Sequence, residues 1–145
     1  MRFGWINWIN TVVVLCLLFI NVIVARKGLS DSFSSKHLAV NIFEQIGRYG
    51  CLVLMILPFF TKGWEFGFNS VTEMLVWICS TMLLLVIYAL LWVKKPNGSA
   101  GVLYGLAIVP VVLFLFNGVL LSHPALIVAA LVFGVFHFII VRENI

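Results

Sequence analysis

The chain has 145 residues, of which 63% are hydrophobic and 10% are charged, and its formal net charge is +4. A soluble globular domain has about 45–50% apolar and about 25% charged residues. The composition excludes a soluble enzyme and a disordered linker. We expect no nucleic-acid partner, because the basic residues are scattered along the chain in ones and twos. We therefore expect an integral membrane protein, with residues 1–145 forming one compact helical domain.

Five apolar runs are long enough to cross a bilayer, which takes about 20 residues. They cover residues 5–25, 38–61, 71–93, 101–121 and 124–141. The first run is expected to be a retained anchor, because its charged residues follow it. The last two runs form one stretch that would be roughly 60 Å long as a single helix, so a turn is predicted at Ser122-His123-Pro124. The alternative is a protein with four spans, in which a re-entrant segment replaces the hairpin of the last two runs.

The basic residues favour one orientation of these five spans. Six fall in segments on one side, namely Arg26, Lys27, Lys36, Lys94, Lys95 and Arg142, whereas Arg2 and Lys62 fall on the other. Cytoplasmic loops carry an excess of Lys and Arg. The sequence therefore predicts an all-α bundle of five transmembrane helices with an external N-terminus and a cytoplasmic C-terminus.

The second run is unusual because it carries four polar residues on one helical face. These are Asn41, Glu44, Gln45 and Arg48. Glu44 precedes Arg48 by four residues, which is the favourable order for an ion pair. One charge at a helix centre costs about 2.5–3.5 kcal/mol in a membrane. The pair is either a packing device that holds this helix against its neighbours or part of a polar site facing a cavity or a partner.

The other four spans each carry a polar residue at a similar predicted depth near the cytoplasmic end. These residues are Asn21, Tyr88, Tyr104 and His137. If their faces point inward, they form one polar layer with the second span. We therefore predict a ligand-binding or partner-binding site made of Asn21, Asn41, Glu44, Gln45, Arg48, Tyr88, Tyr104 and His137. On the back of the second span, Gly47 and Gly50 would allow a close helix approach.

No motif for metal or cofactor binding is present in the sequence. Cys16, Cys51 and Cys79 all lie inside apolar runs, with no Cys-x-x-Cys and no histidine at ligand spacing. A structural zinc site is therefore not expected, and we predict no cofactor. His123 lies in the predicted turn, where we interpret it as a capping residue.

Two resemblances follow from these residues. The stretch Glu44-Gln45-Ile46-Gly47-Arg48-Tyr49-Gly50-Cys51, with Phe133-Gly134-Val135-Phe136-His137, resembles a group of small uncharacterised bacterial multi-span membrane proteins. This resemblance supplies no activity, and it implies only that the second span and His137 belong to the same recurring pattern. We expect the protein to lie in the bacterial cytoplasmic membrane. The Asn41-x-x-Glu44 pair is similar to the membrane-associated eicosanoid and glutathione metabolism proteins, which are four-span enzymes that hold glutathione near the second span. This chain departs from them in its five predicted spans and its lack of further intramembrane arginines.

Three functions remain open from the sequence. We favour a non-enzymatic membrane module that binds membrane lipids, a partner subunit or a second copy through the polar layer, because no nucleophile–base or metal constellation is present. The alternative is a small-solute or proton-coupled carrier, in which Glu44 or His137 exchanges protons. A second alternative is an enzyme acting on a lipophilic substrate, with Arg48 holding an anionic group and Tyr88 or Tyr104 as the acid.

Overall fold

The computed structural model describes residues 2–28, 33–61, 63, 65–97 and 99–145. The described chain contains five α-helices, α1 (Trp8–Arg26), α2 (Leu38–Ile56), α3 (Val71–Lys94), α4 (Ala100–Leu120) and α5 (Pro124–Asn144). Two short strands, β1 (Arg2–Gly4) and β2 (Phe66–Gly67), pair antiparallel. Lys62, which entered the count of basic residues, lies outside the described residues.

Four of the five helices are long and apolar enough to cross a membrane. They are α1, α3, α4 and α5, with a mean hydropathy of 2.3 to 2.6 over their most apolar stretches. Helix α2 is as long as α1, but it is not among the four. Its four polar side chains lower its hydropathy. The structure thus shows an all-α chain with four candidate membrane-spanning helices.

Helix α2 ends at Ile56, whereas the apolar run predicted from the sequence continues to residue 61. Leu57 precedes Pro58, and the proline ring disfavours helical dihedrals in the residue before it. Leu57 is accordingly extended, with φ −110° and ψ 135°. The end of α2 is then capped by other segments. Three backbone carbonyl oxygens at this end have hydrogen-bond partners. Met55 O accepts from Asn10 Nδ2 at 2.9 Å, Ile56 O accepts from the Asn7 N–H at 3.0 Å, and Leu57 O lies 3.3 Å from His123 Nε2.

The turn between α4 and α5 lies at the predicted position. Ser122 has φ 51°, and the N–H of His123 donates to Gly118 O at 2.8 Å, which closes α4 in a Schellman motif. Pro124 then occupies the first turn of α5, where its missing N–H is not needed. His123 Nδ1 accepts from the Leu126 N–H at 3.3 Å, which confirms the predicted capping role of this histidine.

The five helices form a closed ring in the order α1, α2, α5, α4, α3 and back to α1. The same six basic residues, Arg26, Lys27, Lys36, Lys94, Lys95 and Arg142, lie at one end of the ring, which we call the basic end. The α4–α5 turn and the β1–β2 pair lie at the opposite end. Four fully buried side chains fill the middle of the ring: Val13, Met55, Leu113 and Leu126. We call them the apolar layer.

Candidate functional site

A cavity of about 710 Å³ lies inside the ring, between the apolar layer and the basic end. All five helices line it. Its volume falls in the range of about 300–1,000 Å³ that is typical of small-molecule sites. Seven of the eight residues singled out from the sequence line this cavity: Asn21, Asn41, Glu44, Gln45, Arg48, Tyr88 and His137.

Glu44 is the centre of the polar cluster in the cavity. Its side chain is only 3% exposed, and its Oε1 accepts from Arg48 Nη2 one helical turn away. The same oxygen lies 3.0 Å from His137 Nδ1 on α5. A carboxylate only accepts hydrogen bonds, so Nδ1 carries the hydrogen when His137 is neutral and Nε2 carries the lone pair. One buried carboxylate oxygen therefore joins α2 and α5.

A close approach of α2 and α5 makes this contact possible. A Cβ atom on Gly47 would stand 2.6 Å from the backbone nitrogen of Phe133 and 2.8 Å from its Cα. Only glycine leaves room for the α5 backbone there. Since Glu44 is one turn before Gly47, and His137 is one turn after Phe133, this approach brings the carboxylate and the imidazole together.

The Phe133 ring forms one wall of the cluster. It stacks on the His137 ring with 4.8 Å between centroids, and the Arg48 guanidinium lies 5.8 Å from its centroid. The guanidinium is thus held between a carboxylate and an aromatic face. The Arg48 side chain is still 41% exposed. Since a guanidinium has five N–H donors, Arg48 can bind a further acceptor in the cavity without leaving Glu44.

Tyr88 and Asn21 form a second polar contact on another wall of the cavity. The Tyr88 hydroxyl donates to Asn21 Oδ1 at 2.8 Å and so joins α3 to α1. The Tyr88 ring packs edge-on against Trp92, with 6.2 Å between centroids. Of the predicted single polar layer, the described residues thus form two separate hydrogen-bonded groups that face one cavity.

Asn41 and Gln45 lie closer to the basic end. The Asn41 side chain bonds both the N–H and the carbonyl of Ser35, at 2.8 and 2.9 Å, and fixes the segment that precedes α2. Its contacts are thus with the backbone of this chain. Gln45 is exposed and lies at the rim of the cavity.

Tyr104 is the one predicted site residue that does not line the cavity. Its ring packs on Phe138 of α5, with 5.7 Å between centroids. The sequence indicated its depth along α4, but not the direction in which it faces. The lining residues that sequence reasoning missed include Trp92, Lys95 and Phe133. Phe133 could have been identified from its spacing to His137 on α5, because residues four apart lie on one helical face.

The charge and polarity of the wall change along the cavity. Among the described lining residues the charged groups are two cations, Arg48 and Lys95, and one anion, Glu44. The Lys95 ammonium lies 4.9 Å from the Trp92 ring centroid. Toward the apolar layer the wall is apolar, with Leu17, Leu52, Leu106, Pro110 and Phe114. The cavity thus has a cationic part near the basic end and an apolar part deeper in the ring.

The cavity also reaches the side of the bundle between α1 and α2. Leu18 and Tyr49 line it from these two helices, and they are 42% and 60% exposed. The described hydrogen bonds between α1 and α2 lie at the far end of the ring, where Asn10 caps α2. Because these two lining side chains are exposed, the cavity is partly exposed at the surface of the bundle between the two helices.

The far end of the ring is closed by packing and by buried hydrogen bonds. Asn117 Oδ1 accepts from Trp77 Nε1 at 2.7 Å, and Asn117 Nδ2 donates to Thr81 Oγ1 at 3.3 Å and to Leu113 O at 2.9 Å. The Asn117 side chain is thus used to join α4 to α3. Trp77, Thr81 and Asn117 are not among the residues that line the cavity.

Comparisons with known proteins add no family to these observations. No family model matches the chain, and no curated protein or solved structure is significantly similar to it. Within the described ranges, no group of three or more His, Cys, Asp or Glu residues is placed to hold a metal ion. The interpretation of the site therefore depends on its own geometry.

Proposed function

We propose that this protein is a non-enzymatic membrane module that binds an anionic amphiphile in the cavity of its helical ring. The partly exposed guanidinium of Arg48, in a cavity that also has an apolar wall, is the observation that carries the proposal. The anionic group would bind Arg48, and the apolar tail would lie among Leu17, Leu52 and Phe114. A membrane lipid with one or two chains and an anionic headgroup has this chemistry.

The side opening between α1 and α2 supports a ligand that comes from the bilayer. Leu18 and Tyr49 border this opening, and both present apolar surface there. An amphiphile could move sideways through it with its headgroup at the level of Arg48. A freely dissolved anion would have no use for the apolar depth of the cavity.

We also propose that all five helices cross the bacterial cytoplasmic membrane. In this arrangement the exposed face of α2, with Ile42, Ile46 and Val53, is apolar, and its polar face points into the cavity rather than into lipid. The basic end faces the cytoplasm, because basic residues accumulate on that side. The N-terminus is then external and the headgroup site lies in the cytoplasmic leaflet.

Native mass spectrometry of protein extracted gently from its own membranes tests the proposal. We expect an adduct of a few hundred daltons on the wild-type protein and a strongly reduced adduct on Arg48→Gln. Arg142→Gln is the matched control, since Arg142 is a guanidinium at the same end that does not line the cavity. It should keep the adduct.

Two results would contradict lipid binding. If the wild-type protein carries no adduct, nothing supports lipid binding. An added protein mass or a homo-oligomer, in place of a small molecule, would indicate an assembly role instead. If Arg48→Gln folds poorly, the charge-neutral pair Glu44→Gln with Arg48→Gln should replace it, because this pair leaves no unpaired charge in the bundle.

A carrier is the second candidate, because the cavity ends at the apolar layer and is open on one side of it only. A carrier in one of its two states has this geometry. Uptake of a labelled anionic amphiphile into proteoliposomes, with Glu44→Gln as the variant, separates the two functions. A binding module leaves the transport rate at that of protein-free liposomes.

A further inference from the structure

The cation that an anionic ligand would use already has a counter-ion. Arg48 donates to Glu44, whose carboxylate is almost completely buried. A bound anion would leave one guanidinium facing two negative groups. Uncompensated charge is costly away from water, so a second positive charge beside Glu44 would favour ligand binding at Arg48.

His137 is placed to supply that charge. Its Nδ1 lies 3.0 Å from the same Glu44 oxygen that Arg48 contacts. In the neutral ring Nδ1 donates to the carboxylate, so Nε2 is the atom that accepts a proton. The resulting imidazolium keeps the bond to Glu44 and adds one positive charge to the cluster.

Among the described residues that line the cavity, none of the other ionisable groups can gain a positive charge as His137 can. On α2 they are Glu44, Arg48 and Tyr49, on α3 the group is Tyr88, and Lys95 lies in the turn after α3. The described lining residues of α1 and α4 contain no ionisable side chain. Arg48 and Lys95 are ordinarily already charged, and a protonated tyrosine cannot take a further proton near neutral pH.

Building on the proposed function, we infer that the cavity binds its anion together with one proton, the anion at Arg48 and the proton at His137 Nε2. Affinity for the anion then rises as the pH falls. For one proton taken up per anion, the increase approaches about tenfold for each pH unit. The cavity would release its ligand where the pH is high and retain it where the pH is low.

Isothermal titration with decanesulfonate tests this inference, with the protein in lipid nanodiscs and empty nanodiscs as the reference. The sulfonate does not titrate in the working range, so any proton taken up belongs to the protein. We would titrate between about pH 6 and about pH 8, in two buffers of different ionisation enthalpy. We expect tighter binding at low pH and uptake of close to one proton.

Two histidine variants assign the proton. His137→Gln keeps an N–H donor but cannot be charged, and it should bind weakly with no pH dependence. His37→Gln changes a histidine at the same end that does not line the cavity, and it should behave as the wild type does. If His137→Gln does not fold, the ¹⁵N chemical shift of the wild-type His137 ring should report protonation of Nε2 when the sulfonate binds.

Each outcome separates this inference from the proposed function. Binding without proton uptake would overturn the inference alone, and proton uptake that persists in His137→Gln would overturn the assignment to His137. Absence of binding at any pH would overturn both. Inorganic sulfate that binds as tightly as decanesulfonate would overturn the assignment of a membrane amphiphile, since the apolar tail would then contribute nothing.

Discussion

The backbone nitrogen of Phe133 lies only 2.6 Å from the position of a Cβ atom on Gly47. This approach of α5 to α2 places His137 beside Glu44 and brings the Phe133 ring under Arg48. A local requirement for glycine thus determines the geometry of the polar cluster. The candidate site and the helix packing depend on the same residue.

Gly47→Ala is therefore expected to destabilise the protein. Because the obstructing atoms are backbone, the helices must move apart, at a cost of about 1–3 kcal/mol that is typical of overpacking. Gly50→Ala is the matched control, since its Cβ would lie 3.7 Å from the Ala129 Cβ, an ordinary contact. Thermal unfolding in detergent, followed by tryptophan fluorescence, measures both. Equal melting temperatures for the two variants would contradict the packing described for α2 and α5.

Tyr88 and Tyr104 should respond differently to removal of their hydroxyl groups. Tyr88→Phe loses the bond to Asn21 and should cost about 0.5–1.5 kcal/mol of stability. It should also weaken ligand binding, because the lost hydrogen bond joins two residues that line the cavity. Tyr104→Phe should bind ligand as the wild type does. A binding assay in which Tyr104→Phe is the weaker variant would place the site elsewhere.

The Trp77–Asn117 hydrogen bond should couple α3 and α4 energetically. A double-mutant cycle with Trp77→Phe and Asn117→Leu isolates this contact from the loss of packing. We expect a coupling energy of about 0.6 kcal/mol and at most about 1.7 kcal/mol, which are the average and the maximum measured for hydrogen bonds between membrane helices. Simple additivity of the two single variants would show that the bond contributes nothing to stability.

His123 should make stability dependent on pH. Burial in the turn between α4 and α5 lowers the pKa of His123 from its ordinary value. The folded protein therefore favours the neutral ring, and this contribution is complete above the unfolded pKa of about 6.5. It decreases as the pH falls below that value, because protonation of Nδ1 breaks the bond from the Leu126 N–H.

A variant without an ionisable side chain tests this pH dependence. His123→Asn keeps a capping side chain at the start of α5, but it does not titrate. Its melting temperature, compared with that of the wild type, should improve as the pH is lowered from neutral through about pH 6 and below. A constant difference between the two proteins across this range would show that His123 does not titrate during unfolding.

Much of the architecture was accessible from the sequence, because it follows from chain length and local rules. The α4–α5 turn was predicted at Ser122-His123-Pro124, where a proline follows a break in the apolar run, and the structure has it there. The β1–β2 pair was not predicted. Its strands are short and lie far apart in the chain, so no local periodicity marks them. The early end of α2 was missed, although Pro58 was its signal.

The sequence predicts how deep each candidate site residue lies along its helix, but not the direction in which its side chain faces. Glu44 and Arg48 share a helical face by their spacing, and His137 was placed at the same level. Tyr104 was placed at this level too, yet its ring faces Phe138 outside the cavity. Which way a helix faces depends on contacts such as that between Gly47 and Phe133. Such contacts arise only when two distant segments pack together.

The most direct test of the account is a crystal structure of the protein grown in a lipidic mesophase that contains its native lipids. We expect elongated electron density in the cavity of the ring, with its polar end beside Arg48 and its tail among Leu17, Leu52 and Phe114. Density that shows α1 packed down into the cavity, with the wall residues in contact and no room for a ligand, would contradict it.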